Sequence, residues 1–273
     1  MKKRICVIIR VYNRVEDLEY CLNIIRDTWT TLDYYVVVVS NGRSKGFIIN
    51  DACKSKIDHL VDLETNAGHF KGNSQLLLEG LPFIPDDCEH TILLEADTWL
   101  YGDGLTKKYA DRLKAEGAVW ASAQFYSYVL NLATDFAIVD SKFIKSHPEV
   151  VTFEGIPEYY VANYLQNRGF KFIYIKEIAP VNLPRYLRKY PFAPTGRFFV
   201  FPAAKMVTHH IEDLRGGMDE KKYFFNALAD RPYFDVACKR SYKKARFLIK
   251  MAMLFFYIIP HKSWVFKNKK FDV

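Results

Sequence analysis

Cysteine is scarce in this chain: Cys6, Cys21, Cys53, Cys88 and Cys238 are odd in number, scattered, and include no C-x-x-C pair. That distribution argues against a disulfide framework and against a thiolate zinc site, and it suits a reducing compartment. Long apolar runs are also missing. The longest, 251–259, falls short of the roughly 20 residues that a bilayer-spanning helix takes, so no transmembrane segment is expected. No apolar leader is expected either, because Met1-Lys2-Lys3-Arg4 runs straight into a strand-like stretch followed by Arg10 and Asn13. Zinc-finger, RNP-type and helix-turn-helix patterns are absent, which leaves nucleic acid without a recognisable reading module. Acid is nearly absent from the end of the chain, where residues 239–273 hold ten Lys or Arg against Asp272 alone. The whole chain carries +8, so residues 1–238 are close to neutral and the basicity belongs to the tail.

What is present is a large core. Of 273 residues, 50% are hydrophobic and 16% aromatic, ample for a globular domain with an extension. The first hundred residues alternate in period. Residues 5–10 read as a strand and 15–28 as an amphipathic helix with Leu18, Cys21, Leu22 and Ile25 on one face. Residues 34–40, "YYVVVVS", read as a strand buried on both faces. A helix over 47–54, a strand near 60–63, a helix over 72–80 and a strand over 91–95 continue the series. Such βα alternation predicts an α/β fold with a mainly parallel, Rossmann-like sheet flanked by helices.

In parallel sheets, ligands bind beyond the carboxyl ends of the strands. Four polar clusters fall there: Arg10-Val11-Tyr12-Asn13, Ser40-Asn41-Gly42, Asn66-Ala67-Gly68 and Glu95-Ala96-Asp97. Each alone could be a turn or a helix cap. The last is the hardest to dismiss, because the apolar run of "HTILLEADTWL" ends in Glu95 and Asp97, whose burial is costly unless a cation meets them. Either they sit at the mouth of the strand or they hold an ion.

These segments resemble the family 2 type of GT-A glycosyltransferases. "VIIRVYNRVEDLEYCL" is similar to the family's opening, "VVVVSNG" to its second strand, and "NAGHFKGN" to its N-x-G-x-x-x-x-N segment through Asn66, Gly68 and Asn73. "LLEADT" falls at its Asp-x-Asp metal motif, and "PEYYVANYLQNRGFKFIYI" resembles its late acidic helix, with Glu158 on the position that serves as base in inverting members. The resemblance covers residues 4–100 well and 135–175 more loosely. It implies a GT-A, nucleotide-diphospho-sugar transferase fold and an inverting, non-processive transfer to a glycan or lipid-linked acceptor, as in surface polysaccharide biosynthesis.

By the same resemblance, Arg10, Tyr12, Asn13, Ser40, Asn41, Asn66, Gly68, Lys71, Asn73 and Glu95 contact the donor. Asp97 and Glu95 hold Mn²⁺ or Mg²⁺, with His209 or His210 as a late ligand. Charge that grows on a departing diphosphate calls for such an ion or for cationic side chains, and a two-acid motif with phosphate oxygens and water suffices to bind it. Adjacent histidines on a strand point to opposite sides, so at most one of the pair serves one ion. Several positions depart from the family pattern. Ser40 stands where an Asp usually contacts the nucleobase, Glu95 replaces the first Asp of the metal motif, and the Gln-x-x-Arg-Trp signature of processive synthases is absent. A UDP-sugar is the favoured donor. Two other readings are a nucleotidyltransferase of related fold, whose glycine-rich loop is not found after the first strand, and an inactive nucleotide-sugar-binding protein.

The expected organisation is a catalytic domain over 1–238, with a nucleotide-sugar half (1–100) and an acceptor half (101–238), then a basic amphipathic extension over 239–273. Residues 185–201, "RYLRKYPFAPTGRFFVF", read either as a mobile lid or as a surface loop. The extension reads either as a face for an anionic membrane surface or as a helix packed on the domain. The expected location is cytoplasmic, peripheral on the inner membrane face in the first case.

Overall fold

The computed structural model describes residues 4–124, 129–178, 198–209, 214, 216–237 and 241–258. The chain divides into two compact units, Met1–Lys176 and Glu177–Val273.

The first unit is built on a sheet of seven strands. In chain order its elements are β1 (Arg4–Val11), α1 (Val15–Thr28), β2 (Asp33–Ser40), α2 (Asp51–Lys54), β3 (His59–Asp62), α3 (His69–Gly80), β4 (His90–Glu95) and the short β5 (Trp99–Leu100). They are followed by α4 (Gly104–Glu116), β6 (Trp120–Ser122), β7 (Phe136–Asp140), α5 (Ser141–Ser146), α6 (Pro157–Asn167) and β8 (Phe172–Tyr174). The sheet order is β3-β2-β1-β4-β7-β6-β8. Strands β3, β2, β1 and β4 run parallel, β7 is antiparallel to both neighbours, and β8 is parallel to β6.

The interior position of β1 and β2 follows from their composition. Val7, Ile8, Ile9, Val36, Val37, Val38 and Val39 are all 0% exposed, so both faces of these strands are covered. Helix α3 packs on β1 and β2, α4 on β6 and β7, and α5 on β4 and β7. One layer of the resulting core joins Ile8, Val39, Leu77, Leu93, Trp120 and Leu165. Among the described residues Cys6, Cys21, Cys53 and Cys88 are buried and form no disulfide. Desolvation pushes the Cys53 and Cys88 thiols up to about 11, which suits inert core packing.

The alternation read from the sequence holds, with one correction. The helix expected over 47–54 is only α2, because Asn50 Oδ1 accepts from Cys53 N at 2.8 Å and starts the helix there. The residues before it hold a 3₁₀ turn, Arg43–Lys45, ended by Gly46 at φ 81°.

Among the described residues, the second unit contains an antiparallel pair, β9 (Phe199–Phe201) and β10 (Met206–Thr208), and the helices α7 (Gly217–Leu228) and α8 (Tyr242–Ile258). Phe224 and Phe225 of α7 are 1% and 0% exposed, with Phe225 against Phe234 and Phe224 against Phe198. No helix among the described residues is long and apolar enough to cross a membrane.

Candidate active site

Parallel pairing brings the carboxyl ends of β1, β2, β3 and β4 to one edge of the first unit, at Val11, Ser40, Asp62 and Glu95. Because β7 runs against β4, with Phe136 opposite Leu94, its first residue and the Thr134-Asp135 segment before it arrive at the same edge.

Arg10 is the cation that meets Glu95. It is the register partner of Glu95 across β1 and β4, and its guanidinium lies 3.2 Å from Glu95 Oε1. It also donates to Asn73 Oδ1 at 2.5 Å and to the Thr134 carbonyl. The Arg10 side chain is 2% exposed and that of Glu95 27%, so the pair is sunk on the arginine side and open on the carboxylate side. A buried guanidinium with this many acceptors acts as a strut, fixing α3, β4 and the approach to β7 around one planar group.

Strand β4 ends in a tight turn. Thr98 N donates to the Glu95 carbonyl at 2.9 Å, Ala96 N to the Arg10 carbonyl at 3.1 Å, and Glu95 N to the Asp135 carbonyl at 2.9 Å. Asp97 is the third residue of this turn and is 6% exposed. Beyond it the fully buried Trp99 donates from Nε1 to the Asp17 carbonyl at 3.2 Å, and Cys21 Sγ lies 3.6 Å from the Thr98 carbonyl. Both ends of the turn are therefore anchored to α1 and β1, and the Asp97 carboxylate is carried on a stiff support.

Across β2 a network of amides shapes the neighbouring loops. Asn41, 1% exposed, donates from Nδ2 to the Gly72 carbonyl at 3.1 Å and accepts from Asn66 Nδ2 at 3.3 Å. Asn66 Oδ1 in turn accepts from Gly68 N at 2.7 Å, and Gly68 takes φ 100° at the start of α3. Close backbone approach selects two further glycines. A Cβ on Gly42 would lie 2.1 Å from the Tyr12 carbonyl, and one on Gly72 would lie 2.4 Å from Asn66 Oδ1. Tyr12 and Asn13 are exposed beyond β1, with the Tyr12 ring set edge-on to Phe47 at 5.4 Å.

Ser40 is fully buried, and its hydroxyl accepts weakly from Gly42 N at 3.5 Å. Its register partner on β3 is Asp62, half-buried, with Arg43 Nη1 at 3.9 Å from Oδ2. A carboxylate thus stands one strand over from the position where the family pattern has one. Lys71 is exposed and pairs with Glu154 at 2.8 Å.

Glu158 lies in the first turn of α6, half-buried, directly after Pro157 at the helix start. Its carbonyl accepts from Leu132 N at 3.0 Å, in the segment that continues through Thr134 and Asp135 to β7. The acidic end of α6 is thereby stitched to the segment whose Asp135 carbonyl holds Glu95 N. In the second unit, His209 follows β10 at φ 74°, a backbone region that non-glycine residues rarely occupy. Its ring lies edge-on to Phe199 at 5.7 Å, and its carbonyl accepts from the buried Lys221 at 3.4 Å. His210 and residues 185–197 lie outside the described residues, and the end of that basic segment enters β9.

No protein-family model matches the sequence, and no curated protein matches it. Solved structures do resemble it. The mannosyltransferase PcManGT from Pyrobaculum calidifontis, in complex with GDP-Man and Mn²⁺, aligns with a TM-score of 0.50 at 14% identity over 66% of this chain. The fold is GT-A-like. The chain spans a little over half, 56%, of PcManGT. S. aureus TarS 1-349 aligns over 97% of this chain and 75% of its own at 13% identity, with a TM-score of 0.47. The 4-diphosphocytidyl-2C-methyl-D-erythritol synthase from Anaerococcus prevotii aligns over 63% of this chain and 86% of its own at 15% identity, with a TM-score of 0.46. At 14% identity, the likeness to PcManGT is one of fold.

Sequence reading placed Gly42 at the edge but missed Gly72, Gln75, Thr134 and Asp135. Thr134 contributes only a main-chain carbonyl, which leaves no mark in a sequence. Gln75, which accepts from Ala67 N at 3.2 Å, could have been found one helical turn beyond Lys71 on α3.

Replacing Arg10 with Met should lower the free energy of unfolding by about 2 kcal/mol, because Glu95, Asn73 and the Thr134 carbonyl all lose a charged donor. Urea unfolding of Arg10→Met, of Glu95→Gln and of the double variant measures this. A coupled pair makes the double variant less destabilised than the sum of the singles.

Proposed function

We propose that the protein is a glycosyltransferase that moves a sugar from a nucleoside-diphosphate sugar to a glycan or lipid-linked acceptor, with inversion at the anomeric carbon. The observation that carries this reading is the edge itself, where the stiff turn bearing Asp97 stands beside an arginine-braced Glu95 and an asparagine-lined cradle. The donor set fits a hard divalent cation, since carboxylate oxygens at a strand end are the ligands Mg²⁺ and Mn²⁺ take alongside phosphate and water. In this reading Asp97 would bind the ion directly and Glu95 would support it. When bound, the ion neutralises charge on the departing diphosphate.

The chain's own residues do the rest. Arg10 holds Glu95 and Asn73 in place and acts as a positioning residue. Asn41, Asn66 and Gly68 shape the loops that receive the nucleotide, Tyr12 offers an exposed ring for the base, and Asp62 supplies the acceptor that Ser40 does not. Glu158 takes the proton from the acceptor hydroxyl as the new bond forms, its ionised form favoured by the start of α6. A nucleotidyltransferase is the second reading, supported by the same fold class, though its phosphate loop after the first strand is replaced here by Arg10-Val11-Tyr12-Asn13-Arg14.

A thermal-shift panel of UDP, GDP, CDP and dTDP, each with and without Mn²⁺, tests the reading. One diphosphate should raise the unfolding temperature by several degrees in the presence of Mn²⁺ and much less without it, as expected from roughly 2 to 4 kcal/mol of ligand stabilisation at saturation. Equal and negligible shifts across the panel contradict it.

A further inference from the structure

We propose that the outer face of α8 is a docking face for the surface of an anionic lipid bilayer, with the helix lying in the plane of the interface. The face is set by spacing. Lys243, Phe247, Lys250 and Leu254 follow one another at four, three and four residues, which aligns them on one stripe of a helix. All four are exposed, Phe247 at 61% and Leu254 at 50%, and Lys244 and Met251 flank the stripe.

The opposite side of α8 is already used. Ala245 and Ile249 are each 2% exposed, and α8 packs on α7. Arg246 donates from Nε to the Ala227 carbonyl at 2.7 Å and from Nη2 to the Ala229 carbonyl. Asn226 Nδ2 donates to the Tyr242 hydroxyl at 3.1 Å, and the Tyr223 and Tyr242 rings meet at 5.4 Å. The helix is fixed by its inner face, so the apolar side chains of the outer stripe do not serve the packing against α7.

Charge and chemistry select the occupant. The sequence of α8, YKKARFLIKMAMLFFYI, contains no acid, and the sequence that follows adds Trp264, Phe266, Lys262, Lys267, Lys269 and Lys270. Lysines on a helix attract anionic headgroups, while Phe247, Met251 and Leu254 between them gain by entering the acyl boundary. A phosphate backbone alone would reward the lysines and leave Met251 and Leu254 in water. Helix α8 carries Lys243, Lys244, Arg246 and Lys250 among its 17 residues and is not long and apolar enough to cross a bilayer, so in this proposal it lies on the surface.

The test uses the full chain and needs no sugar donor. The protein should co-sediment with vesicles of phosphatidylcholine containing about 30% phosphatidylglycerol, and not with phosphatidylcholine alone. Phe247→Ser with Leu254→Ser should weaken partitioning roughly tenfold or more, and Lys243→Gln with Lys244→Gln and Lys250→Gln should weaken it and flatten its salt dependence. Both sets change exposed side chains only, and unchanged unfolding temperatures confirm that the fold persists. A Phe247→Trp variant should shift its emission to the blue on adding the anionic vesicles. Protein left in the supernatant with anionic vesicles at low salt overturns the proposal. So does full retention of binding in the Phe247/Leu254 variant, or tighter binding to homopolymeric RNA than to the vesicles.

Discussion

Asp97→Asn is expected to weaken Mn²⁺-dependent binding of a nucleoside diphosphate by at least roughly a hundredfold, beyond what changes outside the ligand shell usually cost. The substitution keeps size and shape but replaces an anionic ligand with a neutral amide. Asp97 is buried in a turn braced at both ends, so nothing in the backbone needs to move. The free protein should remain folded, since the substitution keeps the side chain's size and shape. Glu95→Gln should be milder in binding, since Arg10 already takes part of that charge. Calorimetry of the same diphosphate against wild type and both variants, with and without Mn²⁺, reads all of these. Equal affinity of wild type and Asp97→Asn removes Asp97 from the ion site.

The second large effect is expected at Glu158. Glu158→Gln should keep donor binding and lose roughly a hundredfold or more in transfer, the lower end of what removal of a general base costs. The expectation rests on placement: Glu158 begins α6 at the end stitched through Leu132 to the segment that reaches Glu95. Glu154, in the loop before α6, is paired with Lys71 at the surface, and Glu154→Gln should leave transfer within a few-fold of wild type. The product of the wild-type reaction should have inverted anomeric configuration. Near-normal turnover by Glu158→Gln, or retention of configuration, removes the residue from this role.

Local pattern carried much of the fold. The run from Val36 to Val39 could only be a strand covered on both faces, and it is. The acids of "LLEADT" announced a strand end that needed a cation, and for Glu95 Arg10 provides it from the adjacent strand. What the sequence could not show was which residue did so, because that depends on β1 lying beside β4 in a register that puts Arg10 opposite Glu95. The reversal of β7 was equally invisible, and it is this reversal that delivers the Thr134 and Asp135 carbonyls to the edge. The helix expected over 47–54 failed for a local reason: periodicity suggested a longer element, but the Asn50 cap and the Gly46 turn leave room only for α2. Gly42 and Gly72 resemble ordinary turn glycines in the sequence, and only the packed loops show how near the Tyr12 carbonyl and the Asn66 amide come.

The most direct test of the central claim, that the carboxyl edge of the sheet receives the nucleotide, is amide hydrogen exchange on the full chain with and without saturating UDP or GDP and Mn²⁺. Slowed exchange is expected in the peptides holding Tyr12-Asn13, Asn41-Gly42, Asn66 to Asn73, and Ala96 to Thr98. Binding that protects other peptides and leaves these four unchanged would contradict it.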